Sequence, residues 1–273
     1  VSDVDLAPGH KWGLTLANPV MAASGSLGYG SPRPLLVDPS TLGAVVTSPV
    51  SLRPRRGALP PRASIRPHGF ILRTGGANPG VERVLAMNAR RWEELPTPVI
   101  VHAVAREPSE MASLMDRLEE SPAAGVEIDV GPTRDLEILR AACTGSLPVL
   151  ARVPLIGALD WALQAVGAGA CAVVVAAPPV GIAPGPGGPM RGEWHALALL
   201  PLLLDALAAV REAVTVPLVG SGGVHSIGDA RAILELGADA VQLDDILFLD
   251  PRKAMDIVRH LKTNPGGEVE CER

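Results

Sequence analysis

From about residue 98 onward, short apolar runs alternate with amphipathic stretches, and this rhythm limits the fold more than any other feature of the chain. Residues 99–104 read as a strand. They are followed by a helix over 109–120, opened by Pro108, with Met111, Leu114, Met115 and Leu118 on one face. Five further strand–helix units follow, with strands at 126–130, 148–153, 172–176, 217–220 and 240–243. Their helices fall at 134–143, 159–166, 197–213, 227–236 and 251–261, the fourth of these closed by Gly237. Two more strands fit upstream, at 20–23 and 44–47. Eight strands alternating with helices predict a single parallel (β/α)8 TIM barrel rather than an open sheet.

The remaining length is consistent with one domain. A barrel of this kind takes about 250 residues, and the chain has 273, so residues 1–273 need no second domain. The first 18 residues supply a hairpin, with 12–16 capping the barrel bottom, and 263–273 form a frayed tail. Two long proline-rich loops, 51–67 and 178–192, both follow strands and so belong to the catalytic face. The first carries Arg53, Arg55, Arg56, Arg62 and Arg66, which either receive an acidic partner or stay solvated. The second holds Gly185-Pro186-Gly187-Gly188-Pro189, a plain linker, then Trp194 and His195, a candidate lid.

Composition excludes several classes. Hydrophobic residues make up 47% and aromatics only 3%, which suits parallel strands buried on both faces. A formal charge of −5 leaves no basic footprint for nucleic acid. Cys143, Cys171 and Cys271 provide neither a disulfide framework nor a Cys-X-X-Cys metal site, and the first two read as packed residues. The acidic opening does not read as a secretory signal. The most apolar run, 196–210, is interrupted by Pro201 and Asp205 and falls short of the roughly 20 residues that span a bilayer. The expectation is a soluble cytoplasmic protein without membrane association.

Several segments carry a more specific signal. They are Asn18-Pro19-Val20-Met21-Ala22-Ala23-Ser24-Gly25-Ser26-Leu27-Gly28-Tyr29-Gly30, Gly43-Ala44-Val45-Val46-Thr47, Pro60-Pro61-Arg62, Asn78-Pro79-Gly80-Val81-Glu82 and Gly222-Gly223-Val224. In this order, over about residues 12–262, the chain resembles class 1 dihydroorotate dehydrogenases. The resemblance implies FMN at the C-terminal mouth of the barrel, a cysteine base for C5 of dihydroorotate, hydride transfer to the flavin, and a homodimer. It places the flavin site at Ala23, Ser24, Gly25, Ser48, Arg152, Gly220, Gly222, Gly223, Asp244 and Asp245, and a substrate amide at Asn78.

The chain departs from that pattern at its working positions. Ser48 stands where the resemblance implies the flavin-supporting lysine, His102 and Asp129 where it implies asparagines, and Arg152 where it implies a second lysine. Val126-Glu127-Ile128-Asp129-Val130-Gly131-Pro132 begins like the base motif, but the cysteine is missing. The asparagine after the sixth strand becomes Ala176 or Ala177, and Asp244-Asp245 replace Gly-Thr at the phosphate end. These departures predict weak or absent FMN binding, no normal dihydroorotate oxidation, and a small-molecule ligand or a partner at the mouth. The competing expectation is an active FMN-dependent oxidoreductase with a replaced base.

His102, Asp129 and His195 are the candidate catalytic residues, with Arg152 as an anion anchor. They form either a replacement constellation or polar filler for a mouth that no flavin occupies. Asp129, Asp244 and Asp245 lack the ligand spacing of a metal site, so no metal is expected. A Schiff-base aldolase is disfavoured because Lys11, Lys253 and Lys262 all fall away from the strand ends.

Overall fold

The structure, a computed structural model, describes residues 3–30, 37–66, 69–131, 136–176, 178–184 and 188–263. It opens on an antiparallel hairpin, β1 (Val4–Asp5) and β2 (Thr15–Leu16). β3 (Val20–Ala22) and β4 (Ala44–Val46) follow. Next come two outlying strands, β5 (Ala63–Arg66) and β6 (Gly69–Leu72), and helix α1 (Val81–Glu94). The regular alternation then runs β7 (Val99–His102), α2 (Pro108–Glu119), β8 (Gly125–Asp129), α3 (Leu136–Cys143), β9 (Val149–Pro154), α4 (Ala158–Gly167) and β10 (Ala172–Ala176). A second outlying pair, β11 (Val180–Ala183) and β12 (Met190–His195), precedes α5 (Leu200–Ala213). β13 (Leu218–Ser221), α6 (Ile227–Glu235), β14 (Ala240–Leu243), α7 (Ile246–Leu249) and α8 (Pro251–Thr263) complete the chain.

Eight parallel strands close the barrel in the order β3-β4-β7-β8-β9-β10-β13-β14, as the alternation predicts. Tight closure needs Gly43, because a Cβ there would collide with the Asn18 carbonyl. Outward residues such as Val126, Ile128, Val173 and Val175 pack against the helices. Inward residues Met21, Ala44, Val46, Ile100, Leu150, Val174 and Val219 form a separate apolar plug with Leu6, Leu14 and Leu16 of the hairpin region. The hairpin therefore does cap the bottom, but it begins at Val4 rather than at Trp12, which is exposed.

Sequence reading missed two features. Helix α1 buries Val81, Val84, Asn88 and Trp92, a narrow stripe in an otherwise polar segment. The two proline-rich stretches are also not plain loops. Their strands join in one antiparallel sheet, β11-β12-β6-β5, with Trp194 opposite Ile71 and His195 opposite Phe70. Ile71, Ala183, Met190 and Trp194 give this lid a small core of its own. The frayed-tail expectation for 263–273, Val1 and Ser2, Gly185-Pro186-Gly187, Ala177, Pro132 and Cys271 lie outside the described residues, apart from Thr263 at the end of α8.

Candidate functional site

Strand alternation builds the upper half of the barrel. Because side chains alternate in and out along a strand, Glu127 and Asp129 of β8 face the interior while Val126 and Ile128 face the helices. Glu127 is fully buried, and its Oε2 accepts from Gln242 Nε2 across the barrel at 2.6 Å. Burial pushes its carboxyl above the usual range, against the pull of His102, Arg152 and Gln242.

Above this pair, His102, Asp129 and Arg152 come together as the sequence suggests. Arg152 Nη1 donates to Asp129 Oδ1 at 3.0 Å, and His102 Nε2 lies 3.5 Å from Asp129 Oδ2, an ion-pair rather than a short hydrogen-bond distance. The other ring nitrogen, Nδ1, is 2.5 Å from Ser24 Oγ. Burial disfavours the imidazolium, but the carboxylate of Asp129 facing it, with Glu127 behind it, outweighs burial and raises the His102 pKa. Asp129 likewise outweighs burial at Arg152, whose pKa is raised, so its cation is locked in.

Two more acid–imidazole pairs stand at the end of β14. Asp244 Oδ2 lies 3.0 Å from His195 Nδ1, and Asp245 Oδ1 lies 3.0 Å from His225 Nε2. His195 ends β12 and stacks on Phe70 at 4.8 Å, so the first pair fastens the lid to the barrel. Burial lowers the His195 pKa, but Asp244, then Glu193 and Asp245, outweigh it and leave the pKa raised. His195 Nε2, Ser221 Oγ, Glu127 Oε1 and Gln242 Oε1 are buried polar atoms without a hydrogen-bond partner.

Around the glycines after β13, Gly222 and Gly223 adopt positive φ, at 94° and 70°. Gly220 lies within β13, where a Cβ would strike Ile233 of α6. Ser226 caps that helix by accepting from Asp229 N at 3.1 Å, and Asp229 Oδ2 accepts from His225 N at 2.9 Å. The first turn of α6 is thus capped from within the chain.

Other candidates sit apart from this cluster. Both ends of the Asn78 amide are used by Ser51, Gly76 and Gly80, which joins the segment after β4 to the start of α1. Ala23 and Gly25 flank Ser24 in the turn after β3, and Ser48 follows β4 with its Oγ 4.0 Å from where a Gly25 Cβ would lie. In the basic segment, Arg55 pairs with Glu110 at 3.4 Å, and Arg62 donates to the Ala58 carbonyl at 2.7 Å. Burial pushes the Cys143 thiol up to about 12, consistent with a packed, unreactive residue. Among the described residues, no group of three or more His, Cys, Asp or Glu is placed to hold a metal. No helix among them is long and apolar enough to cross a membrane.

Sequence reasoning missed His225, Gln242 and the Ser24–His102 contact. The first two carried a usable signal. His225 directly follows Gly222-Gly223-Val224, and Gln242 stands two residues before Asp244, on the same inward face of β14.

Fold and site define a (β/α)8 barrel with its polar chemistry gathered at the C-terminal ends of the strands. The family model described as dihydroorotate dehydrogenase matches residues 9–130. The catalytic subunit of dihydroorotate dehydrogenase B (NAD(+)) from Pelobacter propionicus is 32% identical, covering 92% of this chain and 90% of the relative. Its counterpart from Desulforudis audaxviator is 31% identical, covering 92% and 89%. The solved structure of DHODH from Eimeria tenella with ferulenol superposes with a TM-score of 0.72 over 96% of this chain and 82% of that one; at 17% identity it speaks for the fold alone. The chain belongs to the dihydroorotate dehydrogenase family, in its class 1 branch.

Proposed function

We propose that this barrel does not oxidise dihydroorotate through a tightly held flavin, and that its mouth takes a small neutral ligand instead. The observation that carries this reading is the pairing at the phosphate end. Asp244 and Asp245 are bound to His195 and His225, with Asp229 in the adjoining first turn of α6. Two like unit charges about 4 Å apart repel by roughly 4 kcal/mol at an effective dielectric near 20. A coenzyme phosphate seated there would meet carboxylates already satisfied by imidazoles, and a helix start capped by its own side chains.

The other end of the pocket supports the same reading. Ser48 supplies no cation for the flavin ring, and Arg152 is held by Asp129. No cysteine stands in the segment that follows Asp129. The residues present do not fit FMN. The three groupings at the mouth each set a carboxylate against a basic side chain, so the acidic groups are already partnered, which favours a ligand without net charge.

Colour tests the proposal. Purified protein is expected to show no flavin absorbance near ~450 nm, a property of the cofactor itself, even after incubation with excess FMN, and no dihydroorotate oxidation. Stoichiometric bound flavin would overturn it. A second reading, a flavin oxidoreductase with His195 as base, draws on the free Nε2 of that ring, whose Nδ1 is fixed by Asp244. Coloured, active protein that loses turnover in His195→Gln would favour that reading.

A further inference from the structure

We propose that Ser24 is the nucleophile of an acyl-transfer site in the barrel mouth, with His102 as its base and Asp129 orienting His102. Three strand ends bring these residues together in the order such chemistry needs. Ser24 Oγ lies 2.5 Å from His102 Nδ1, His102 Nε2 faces Asp129 at 3.5 Å, and Arg152 fixes Asp129 at 3.0 Å. A nucleophile hydrogen-bonded to a base, with that base facing an orienting carboxylate at ion-pair distance, is recognised by geometry and role rather than by chain order. Ser24 is half-buried in the turn after β3, whereas His102 is only 5% exposed beneath it.

The same turn offers oxyanion donors. Among the described residues, neither the Ser24 nor the Gly25 backbone N–H meets an acceptor in the protein. Gly25 has φ 83°, and a Cβ there would come no nearer than 4.0 Å to any other group, Ser48 Oγ being that group. Backbone donors beside the nucleophile, with open space above them, are the arrangement that stabilises a tetrahedral oxyanion.

The reaction balances without a redox partner. Ser24 Oγ adds to the carbonyl carbon of a small neutral ester while its proton passes to His102 Nδ1. The oxyanion is held by the two N–H groups. Collapse breaks the ester C–O bond, and the departing alkoxide takes the proton from His102 and leaves as alcohol. Water then attacks the acyl-serine, with His102 taking and returning one proton, and a carboxylic acid departs. The net change is ester plus water to acid plus alcohol.

The hydroxyl proton of Ser24 has a second acceptor, the Thr47 carbonyl at 3.0 Å. When His102 is an imidazolium, Nδ1–H donates to Oγ and the hydroxyl turns to Thr47, which leaves the serine unreactive. When His102 is neutral, Nδ1 accepts the hydroxyl proton. The charged groups facing His102 are Asp129 and Glu127 on β8 and Arg152 on β9. Reactivity should therefore rise with pH through a His102 pKa that lies above the ordinary value.

The full-length protein would be treated with a neutral fluorophosphonate from about pH 6 to about pH 10, and labelling followed by intact mass and peptide mapping. Expected are one adduct on Ser24, a labelling rate that climbs with pH, none in Ser24→Ala, and a rate at least ~100-fold lower in His102→Gln. Asp129→Asn should move the pH midpoint downward. Ser24 unmodified across the range, or a pH-independent wild-type rate, overturns the proposal; the wild-type profile decides even if His102→Gln does not fold. The flavin absorbance of the same sample is read separately. Colourless, unreactive protein defeats only this inference, whereas yellow protein defeats the reading of the cofactor site.

Discussion

The lower and upper halves of this barrel are filled by different physics. Below, Met21, Val46, Ile100, Leu150, Val174 and Val219 meet the hairpin's Leu14 and Leu16 in an apolar plug. Above, Glu127 is bound to Gln242, Asp129 is paired with Arg152 and faces His102, and Asp244 is paired with His195 of the lid, all of them buried or partly buried. In the lower half stability comes from removing apolar area from water. In the upper half, desolvation opposes every charge and only pairing offsets it. The contrast shows that the floor holds the barrel closed, while the mouth is folded only as long as its charges stay matched.

Breaking one partner in the mouth should have the largest effect. Arg152→Met leaves Asp129 beside buried Glu127 without its cation, and a loss of about 3–5 kcal/mol in urea unfolding is expected. Pairing it with Asp129→Leu should recover much of that loss; a double variant as unstable as the two losses added together would contradict the pairing argument. On the floor, Leu150→Ala should cost about 3 kcal/mol through its cavity, with no dependence on pH. A cost that changed with pH would mean the two halves are not separable.

Titration sharpens the comparison on a smaller scale. The folded pKa values of His102 and His195 lie above the unfolded value near ~6.5, so their contribution is complete below about pH 6.5 and is lost as pH rises through the folded values. Glu127, also raised, acts in the same direction, because the folded chain holds its proton more tightly than the unfolded chain does. The unfolding free energy should therefore fall on going alkaline, by at most ~1.4 kcal/mol per pH unit for each group, and His195→Gln should flatten the curve. An unchanged slope would remove His195 from this account. The smallest effect is expected at Ser221, whose buried hydroxyl has no partner: Ser221→Ala should leave stability within ~0.5 kcal/mol.

The barrel was legible because buried parallel strands and amphipathic helices write different periods into the chain. Gly237 stops α6 at φ 90°, and Asp250 caps α8 by accepting from Lys253 N at 3.1 Å, both readable as punctuation. A lid at Trp194 and His195 was legible, but the sheet that builds it was not. Val180 to Ala183 and Gly69 to Leu72 are short, glycine-interrupted strands of two local hairpins, and the β6–β12 pairing that joins those hairpins links segments far apart in sequence, so no local pattern marks the sheet. At the site, the suspicion that Asp244 and Asp245 are out of place was available from residue type alone. Their destinations were not, because His195 and His225 reach them from two different segments. The assembly of His102 with Asp129 and Arg152 followed from strand ends, but the contact with Ser24 depends on a turn whose geometry only the folded chain reveals.

Because β6 and β12 are drawn from excursions after two barrel strands on different sides of α1 to α4, their pairing closes a very long loop of chain. Such contacts form late, once the intervening strands have already been ordered. The seam that completes the cylinder, Val20 beside Val241, spans a still longer stretch than the roof's Phe70 beside His195, so neither cylinder nor roof can be sealed until segments from both ends of the chain are in place.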